Sequence, residues 1–251
     1  MRTDYSRPDF AARYTRSRAL DDAARATWAR ELAAHQPRPG GLCLDLGSGV
    51  GRFWPVLREA WEPGAILAVD TSLKMLQESE AVDVVRVVAD LDRLPLADGS
   101  VDGCWCSMVL HYSADLEATC RRLFGIVAPD GVLAVRTATP STLSSFVFLA
   151  YFPTALAAER RVMPHEDRVL AALRSAGFAH VRATAVPSGT ARTYRGLLRQ
   201  VWSRGFPSLQ LVPAGEFLRG MLRLALMCAV RAARRVPLEP EQSLLVMGRR
   251  P

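Results

Sequence analysis

Five short apolar runs recur between residues 42 and 139, and helical patterns separate most of them. The runs are LCLDLG (42–47), AILAVD (65–70), DVVRVVAD (83–90), VDGCWCSMVL (101–110) and GVLAVRTAT (131–139). The intervening helical patterns lie at 51–60, 72–79 and 115–128. Runs that are apolar on both faces and alternate with helices indicate parallel strands joined by crossover helices. This part of the chain is therefore predicted to form an α/β fold around a mainly parallel sheet.

The flanking segments extend the pattern to seven strands. Residues 9–35 carry apolar side chains at helical spacing, and 165–178 predicts a helix with Gly177 at its C-cap. AHVRATAVP (179–187) and SLLVMGRR (243–250) are typical of strands. We therefore expect a doubly wound, mainly parallel seven-stranded sheet in three parts. These parts are a helical segment over 1–38, a core over 39–187 plus 241–251, and a helical insertion over 188–240.

The formal net charge is +7, and 31 of the 32 basic side chains are arginine, since Lys74 is the only lysine. Arginine used in this way, with abundant alanine, is typical of a GC-rich genome. Lysines and aromatic residues do not interleave as they do in a nucleic-acid groove, which argues against a nucleic-acid partner.

The five cysteines form no CxxC pair and no Cys/His metal spacing, so no metal is predicted. The N-terminus has no apolar signal core, and the longest apolar stretches fall short of the ~20 residues of a membrane span. These features predict a protein of the reducing cytoplasm without a membrane span.

Three glycines, Gly47, Gly49 and Gly51, follow the first predicted strand and precede a helix. Ligands bind beyond the carboxyl ends of parallel strands, where glycine lets the backbone approach them closely. A dinucleotide site would place its third glycine at residue 52, which is arginine here. No Gly-Lys-Ser/Thr follows, so the turn also departs from a P-loop.

Acidic residues end the second and third predicted strands. Asp70 lies 23 residues after Gly47, close to the offset of ~20 at which an acid meets ribose hydroxyls. A carboxylate there can accept two hydrogen bonds from a vicinal diol. Asp90 either caps the turn that follows it or contacts the ligand. Together the glycine turn and Asp70 predict a ligand that contains a ribose.

The segments LDLGSGVGR, AVDTSLKML, VADLDRLPLADGSVDGCWCSMVLHY and GIVAPDGVLAVRT follow one another in this order. From residue 43 to about 139 the chain resembles the class I S-adenosylmethionine-dependent methyltransferases, within the broad small-molecule (methyltransferase type 11-like) group. The resemblance implies a Rossmann-like sheet, with S-adenosyl-L-methionine as cofactor. It also implies that 1–38 forms a lid over the cofactor. The long, mostly helical connection 188–240 is predicted from its length to cap the side of the methyl acceptor.

The resemblance further implies which residues bind the cofactor. The methionine part of the cofactor would contact Asp45, Gly47, Ser48, Gly49 and Gly51. The ribose would contact Asp70, and the adenine would contact Thr71, Met75, Asp90 and Leu91. Ser107 would line the side of the sulfonium.

The acceptor implied is a small, fairly apolar metabolite methylated on O, N or C by in-line displacement. A general base is needed only if the acceptor arrives protonated, and His111, just past the fourth strand, is the predicted catalytic base. The alternative is that His111 only packs on the following helix.

The predicted substrate contacts are Tyr14, Tyr112, Tyr151 and Tyr194. Five further aromatic residues could form a pocket wall or part of the core: Phe146, Phe148, Phe152, Trp202 and Phe206.

Other functions stay open at this point. The chain could methylate RNA or protein, use a methyltransferase-type pocket for a non-methylating reaction such as cyclisation, or act purely as an interaction module. The sequence assigns neither the acceptor nor an oligomeric state.

Overall fold

The computed structural model describes residues 20–78, 81, 83–188 and 193–251. Its centre is a seven-stranded sheet in the order β3-β2-β1-β4-β5-β7-β6. The strands are β1 (Leu42–Leu46), β2 (Ala65–Asp70), β3 (Val84–Val88), β4 (Val101–Ser107), β5 (Val127–Thr137), β6 (Ala179–Pro187) and β7 (Gln242–Arg249). All neighbours from β3 to β5 pair in parallel, whereas β7 runs antiparallel to both β5 and β6. The predicted mainly parallel seven-stranded sheet is therefore confirmed.

Eight α-helices lie in the described part of the chain. They are α1 (Asp22–Ala33), α2 (Trp54–Trp61), α3 (Leu73–Gln77), α4 (Leu116–Ile126), α5 (Pro153–Val162), α6 (Glu166–Ala176), α7 (Tyr194–Trp202) and α8 (Ala214–Ala233). Several of these helices begin at a residue whose side chain accepts a hydrogen bond from a free backbone amide, as Asp115 does at the start of α4. Gly177 ends α6 with φ of 111°, as its predicted C-cap position requires.

The predicted bounds differ most at β4 and β5. The apolar run from 101 to 110 suggested a strand over its whole length, but β4 stops at Ser107. Met108 has φ of 56°, which breaks the extended backbone, and Leu110–Tyr112 form a 3-10 turn. Strand β5 begins at Val127, earlier than predicted, because Val127 pairs with Val101 across an irregularity in the ladder.

Helices cover both faces of the sheet, and the alternation of side chains along β4 shows why. Cys104 and Cys106 belong to the core cluster under α4 and α6, whereas Trp105 belongs to the cluster under α1 and α2. Successive side chains of a strand point to opposite faces, so an all-apolar strand serves two cores. The result is the doubly wound arrangement.

A third core cluster lies beyond the sheet, and its members come from two separate segments. Residues between 138 and 163 pack with residues between 194 and 238, so α5, α7 and α8 share one core. We call these two segments the cap. The predicted insertion at 188–240 therefore packs with the segment that follows β5. The predicted domain division had assigned that segment to the core with the sheet. No helix among the described residues is long and apolar enough to cross a membrane.

Candidate active site

The carboxyl ends of β1, β2 and β4, together with the turn after β3, border one cavity of about 330 Å³. The chain leaves β1 toward β2 and β3 on one side and returns to β4 on the other. Strand order reverses at this point, and open α/β sheets bind ligands in the crevice so formed. The cap closes the other side of the cavity.

The glycine turn after β1 is held close to β2. The amides of Gly47 and Ser48 donate to the carbonyl oxygen of Val69 at 2.8 and 3.0 Å. Gly47 has φ of 68°, and a Cβ there would lie 2.6 Å from the side chain of Val109. Only glycine accommodates both this left-handed backbone and this close approach. Gly47 and Gly49 thereby expose bare backbone to the cavity.

A buried network lies beneath the turn and is centred on Asp45. Its Oδ2 accepts hydrogen bonds from Ser48 Oγ at 2.7 Å and from Trp54 Nε1 at 2.9 Å. Burial raises the pKa of Asp45 from 3.8 to about 6, although these two hydrogen bonds oppose the shift. The network fixes the shape of the turn from below.

Asp70 joins the ends of β1 and β2. Its Oδ2 accepts from the amide of Gly49 and its Oδ1 from the amide of Ser72, both at 2.9 Å. Burial raises the pKa of Asp70, and the hydrogen bonds from Ser72 and Gly49 offset part of that rise. Each carboxylate oxygen has a second lone pair, so Asp70 can also accept hydrogen bonds from a ligand in the cavity.

Asp90 caps the turn that follows it, and its contact with a ligand stays a prediction. Its Oδ1 accepts from the amide of Asp92 at 2.9 Å and so caps the 3-10 turn Leu91–Arg93. Asp90 and Leu91 also line the cavity, next to Thr71 and Met75 of the neighbouring connection. This end of the cavity therefore presents two carboxylates beside apolar side chains.

His111 and Tyr112 follow β4 and line the cavity. Their ring centroids are 4.1 Å apart. Burial lowers the pKa of His111 from 6.5 to about 4, so its imidazole is neutral near pH 7. Its Nδ1 is buried and has no hydrogen-bond partner among the described residues. Nearby Ser107 accepts a hydrogen bond of 3.3 Å from Arg136.

The cap supplies a mostly apolar wall. Ten of its lining residues are Ala138, Leu143, Phe146, Phe148, Leu149, Met163, Phe206, Pro207, Ser208 and Leu211. Ser208 is the polar exception among these: it is buried, and its Oγ has no partner among the described residues. Glu159 and Arg161 of α5 also border the cavity.

Comparison with known proteins agrees with this architecture. A family model described as "Methyltransferase domain" matches residues 44–135. Malonyl-[acyl-carrier protein] O-methyltransferase of Herminiimonas arsenicoxydans is 30% identical over 149 residues, which cover 59% of this chain and 56% of that protein. The chain carries this methyltransferase domain over residues 44–135. It spans about half the length of the curated relatives that it matches, 56% and 44% for two of them.

Solved structures of methyltransferases share this fold. A protein of Anabaena variabilis, described as a methyltransferase from an antibiotic biosynthesis pathway, superposes with a TM-score of 0.69 and 17% identity, over 92% of this chain and 98% of that one. Phosphoethanolamine N-methyltransferase 2 of Haemonchus contortus, in complex with S-adenosylhomocysteine, gives a TM-score of 0.61 at 12% identity, over 96% and 57% of the two chains. At these identities the likeness concerns the fold.

The residues of the cavity fit a cofactor that contains a nucleoside, as S-adenosylmethionine does. A Cβ on Gly49 would meet Met75 Cε at 3.4 Å and no closer side chain, so the turn leaves room above it. Asp70 and Asp90 offer carboxylate oxygens, which suit the hydroxyl and amino donors of a nucleoside. No cluster of possible metal ligands occurs among the described residues.

The predicted site residues divide into three groups. Those that line the cavity are Gly47, Gly49, Asp70, Thr71, Met75, Asp90, Leu91, Ser107, His111 and Tyr112. Asp45, beneath the turn, and Ser48 and Gly51, within it, are not part of the lining. Tyr14 lies outside the described residues.

Tyr151 and Tyr194 do not line this cavity. Tyr151 borders a separate surface cleft beside α8, and the Tyr194 hydroxyl donates to the carbonyl oxygen of Pro237 at 3.2 Å. Both side chains are turned toward the end of α8 and the segment after it. Of the other aromatic candidates, Phe146, Phe148 and Phe206 line the cavity, whereas Phe152 and Trp202 do not.

Sequence reasoning missed several lining residues. Val109 lies between two predicted site residues and could have been found from its place at the end of β4. Leu143, Met163 and Ser208 come from irregular parts of the cap, and no periodicity or motif marks them.

Proposed function

We propose that this protein transfers a methyl group from S-adenosylmethionine to an O, N or C atom of a small, largely apolar acceptor. The observation that carries the proposal is the single cavity that joins the glycine turn and the two carboxylates to the apolar wall of the cap. A volume of about 330 Å³ lies within the range of ligand pockets, roughly 300–1,000 Å³.

The turn side of the cavity holds the donor. Asp70 would accept hydrogen bonds from the ribose hydroxyls, and Asp90 one from the adenine amino group. The bare backbone of Gly47 and Gly49 would lie against the methionine part. S-adenosylmethionine, when bound, supplies a methyl group that its sulfonium already activates for displacement.

The cap side holds the acceptor and keeps water away from it. Phe146, Phe148 and Phe206 provide apolar surface for a hydrophobic body. An acceptor held against this wall would direct one atom toward the donor, and such alignment in a dry site supplies much of the catalytic effect.

His111 and Ser208 would recognise the polar part of the acceptor. His111 is neutral at pH 7 because its pKa is lowered to about 4, so Nδ1 can accept a proton or a hydrogen bond from a hydroxyl. Buried polar atoms are normally hydrogen-bonded, and Ser208 Oγ would find its partner on the ligand. The relative from Herminiimonas is named for O-methylation of a malonyl group, and a carboxylate acceptor needs no base.

The experiment has two stages. Calorimetry measures binding of S-adenosylmethionine and S-adenosylhomocysteine to the wild type and to Asp70→Ala. Methyl-labelled donor is then offered with a panel of apolar acceptors that differ only in a hydroxyl, amine or carboxyl group. His111→Ala should slow hydroxyl methylation by about 10²- to 10⁴-fold and leave methylation of carboxylates unchanged.

Ser208→Ala should raise KM for the preferred acceptor. Ser144→Ala is its matched control, because Ser144 is an exposed serine of the cap whose hydroxyl donates to the carbonyl oxygen of Ser141. If neither donor nor demethylated donor binds, the proposal is wrong. If the donor binds but every reactive acceptor is transformed without formation of S-adenosylhomocysteine, a non-methylating reaction replaces it.

A further inference from the structure

Helix α8 is apolar on both of its sides. Its inward side buries Phe217, Gly220, Leu224 and Cys228 in the cap. A large apolar stripe on a helix normally packs against another surface. The outward side is therefore a surface that lacks its cover.

Four large aliphatic side chains follow this outward side at intervals of four residues: Leu218, Leu222, Leu226 and Val230. They are 56%, 72%, 67% and 42% exposed. Residues four apart are neighbours on a helix surface, so the four form one continuous stripe about three turns long. We call it the outer stripe.

Arginines surround the outer stripe. Arg219, Arg223, Arg231 and Arg234 are exposed, and none of them pairs with an acidic side chain among the described residues. The only acid in α8 is Glu216, whose carboxylate accepts hydrogen bonds from Thr154. Any partner of the outer stripe must therefore combine apolar surface with negative charge.

We propose that the outer stripe seats this protein on an anionic phospholipid bilayer, with α8 lying in the plane of the headgroups. The aliphatic side chains would enter the acyl boundary while the arginines meet lipid phosphates, as interfacial helices do. Because α8 cannot cross a membrane, the association is peripheral.

A second copy of the chain is a poorer cover for this surface. A two-fold interface pairs a patch with itself and would bring the arginines of one copy against those of the other. No acid in the outer stripe compensates for that repulsion. Phosphate groups of lipids, in contrast, complement the arginines directly.

The test uses the full chain without donor or acceptor, so its outcome does not depend on the proposed methyl transfer. Co-sedimentation is measured with vesicles of phosphatidylglycerol and phosphatidylcholine, and with pure phosphatidylcholine. We expect partition onto the anionic vesicles, weakened by salt.

The variants separate the two components of the surface. Leu222→Glu/Leu226→Glu should reduce partition at least tenfold, and removal of Arg223 by alanine about fivefold. The matched controls, Val85→Glu/Val88→Glu on the exposed edge strand β3 and Arg30→Ala on α1, should bind like the wild type. Circular dichroism confirms folding, which is expected because all the changed side chains are exposed.

Three outcomes would overturn the inference. They are absence of partition onto anionic vesicles, equal partition onto neutral ones, and equal loss in the control variants. Light scattering adds a fourth: a dimer that Leu222→Glu/Leu226→Glu dissociates would show that a second copy covers the outer stripe.

Discussion

The backbone amide of Gly49 donates a hydrogen bond of 2.9 Å to Oδ2 of Asp70. This bond links the turn after β1 to the acid at the end of β2. Gly49, which borders the cavity, is thus hydrogen-bonded to Asp70, the residue proposed to bind ribose. Loss of Asp70 should therefore disturb two parts of the donor site at once.

Asp70→Ala should weaken binding of S-adenosylhomocysteine by about 10- to 100-fold, because a hydrogen bond to a charged group contributes about 1.5–3 kcal/mol. Calorimetry measures the change directly. Asp83→Asn is the control, since Asp83 is an exposed acid that pairs with Arg58 away from the cavity. Equal affinity of Asp70→Ala and wild type would contradict the proposed ribose contact.

Gly47 and Gly99 form a matched pair for testing the tightness of the turn. Both have positive φ, of 68° and 64°, but a Cβ on Gly99 meets nothing within 4 Å, whereas one on Gly47 meets Val109 at 2.6 Å. Gly99→Ala should lower the free energy of unfolding by about 1–2 kcal/mol, the cost of left-handed backbone. Gly47→Ala should cost roughly 1–3 kcal/mol more, from overpacking. Urea denaturation measures both, and equal losses would show that the turn relaxes around the added methyl.

The buried carboxyl of Asp45 should make stability depend on pH. Its pKa is about 6 in the folded protein and 3.8 ordinarily, so the folded state holds the proton more tightly. Its contribution to folding is therefore full below pH 3.8 and is lost as pH rises through 6, a change of about 3 kcal/mol. Asp45→Asn cannot titrate at this position. As pH rises from 4 to 8, the free energy of unfolding of the wild type should therefore fall relative to that of Asp45→Asn by about this amount. Parallel pH curves for the two proteins would contradict the raised pKa.

The sequence predicted the sheet more accurately than the ends of its strands. Strand β2 coincides with AILAVD because Gly64 and Asp70 bound a short apolar run. The end of β4 could not be predicted in the same way. The apolar run continues through Leu110, and the left-handed backbone of Met108 results from tertiary structure rather than from residue type.

The site residues show the same division. Asp70 and Asp90 could be placed from their positions at strand ends. Asp45 also stands near a strand end, but the period of two along β1 turns it toward Trp54 instead of the cavity. Tyr151 and Tyr194 were chosen by residue type alone, and type does not reveal which side of the cap a side chain faces.

The neutrality of His111 can be tested by an NMR titration of the four histidines. Burial lowers its pKa from 6.5 to about 4, so the imidazole signal that disappears in His111→Gln should titrate near pH 4. Because the folded-state pKa lies below the unfolded value, His111 favours the folded state above pH 6.5. That contribution, about 3 kcal/mol, is lost as pH falls toward 4, opposite in sign to the effect of Asp45. A signal that titrates above pH 6 would mean that His111 is solvated or paired with an acid, and it would contradict the buried, unpartnered environment of its imidazole.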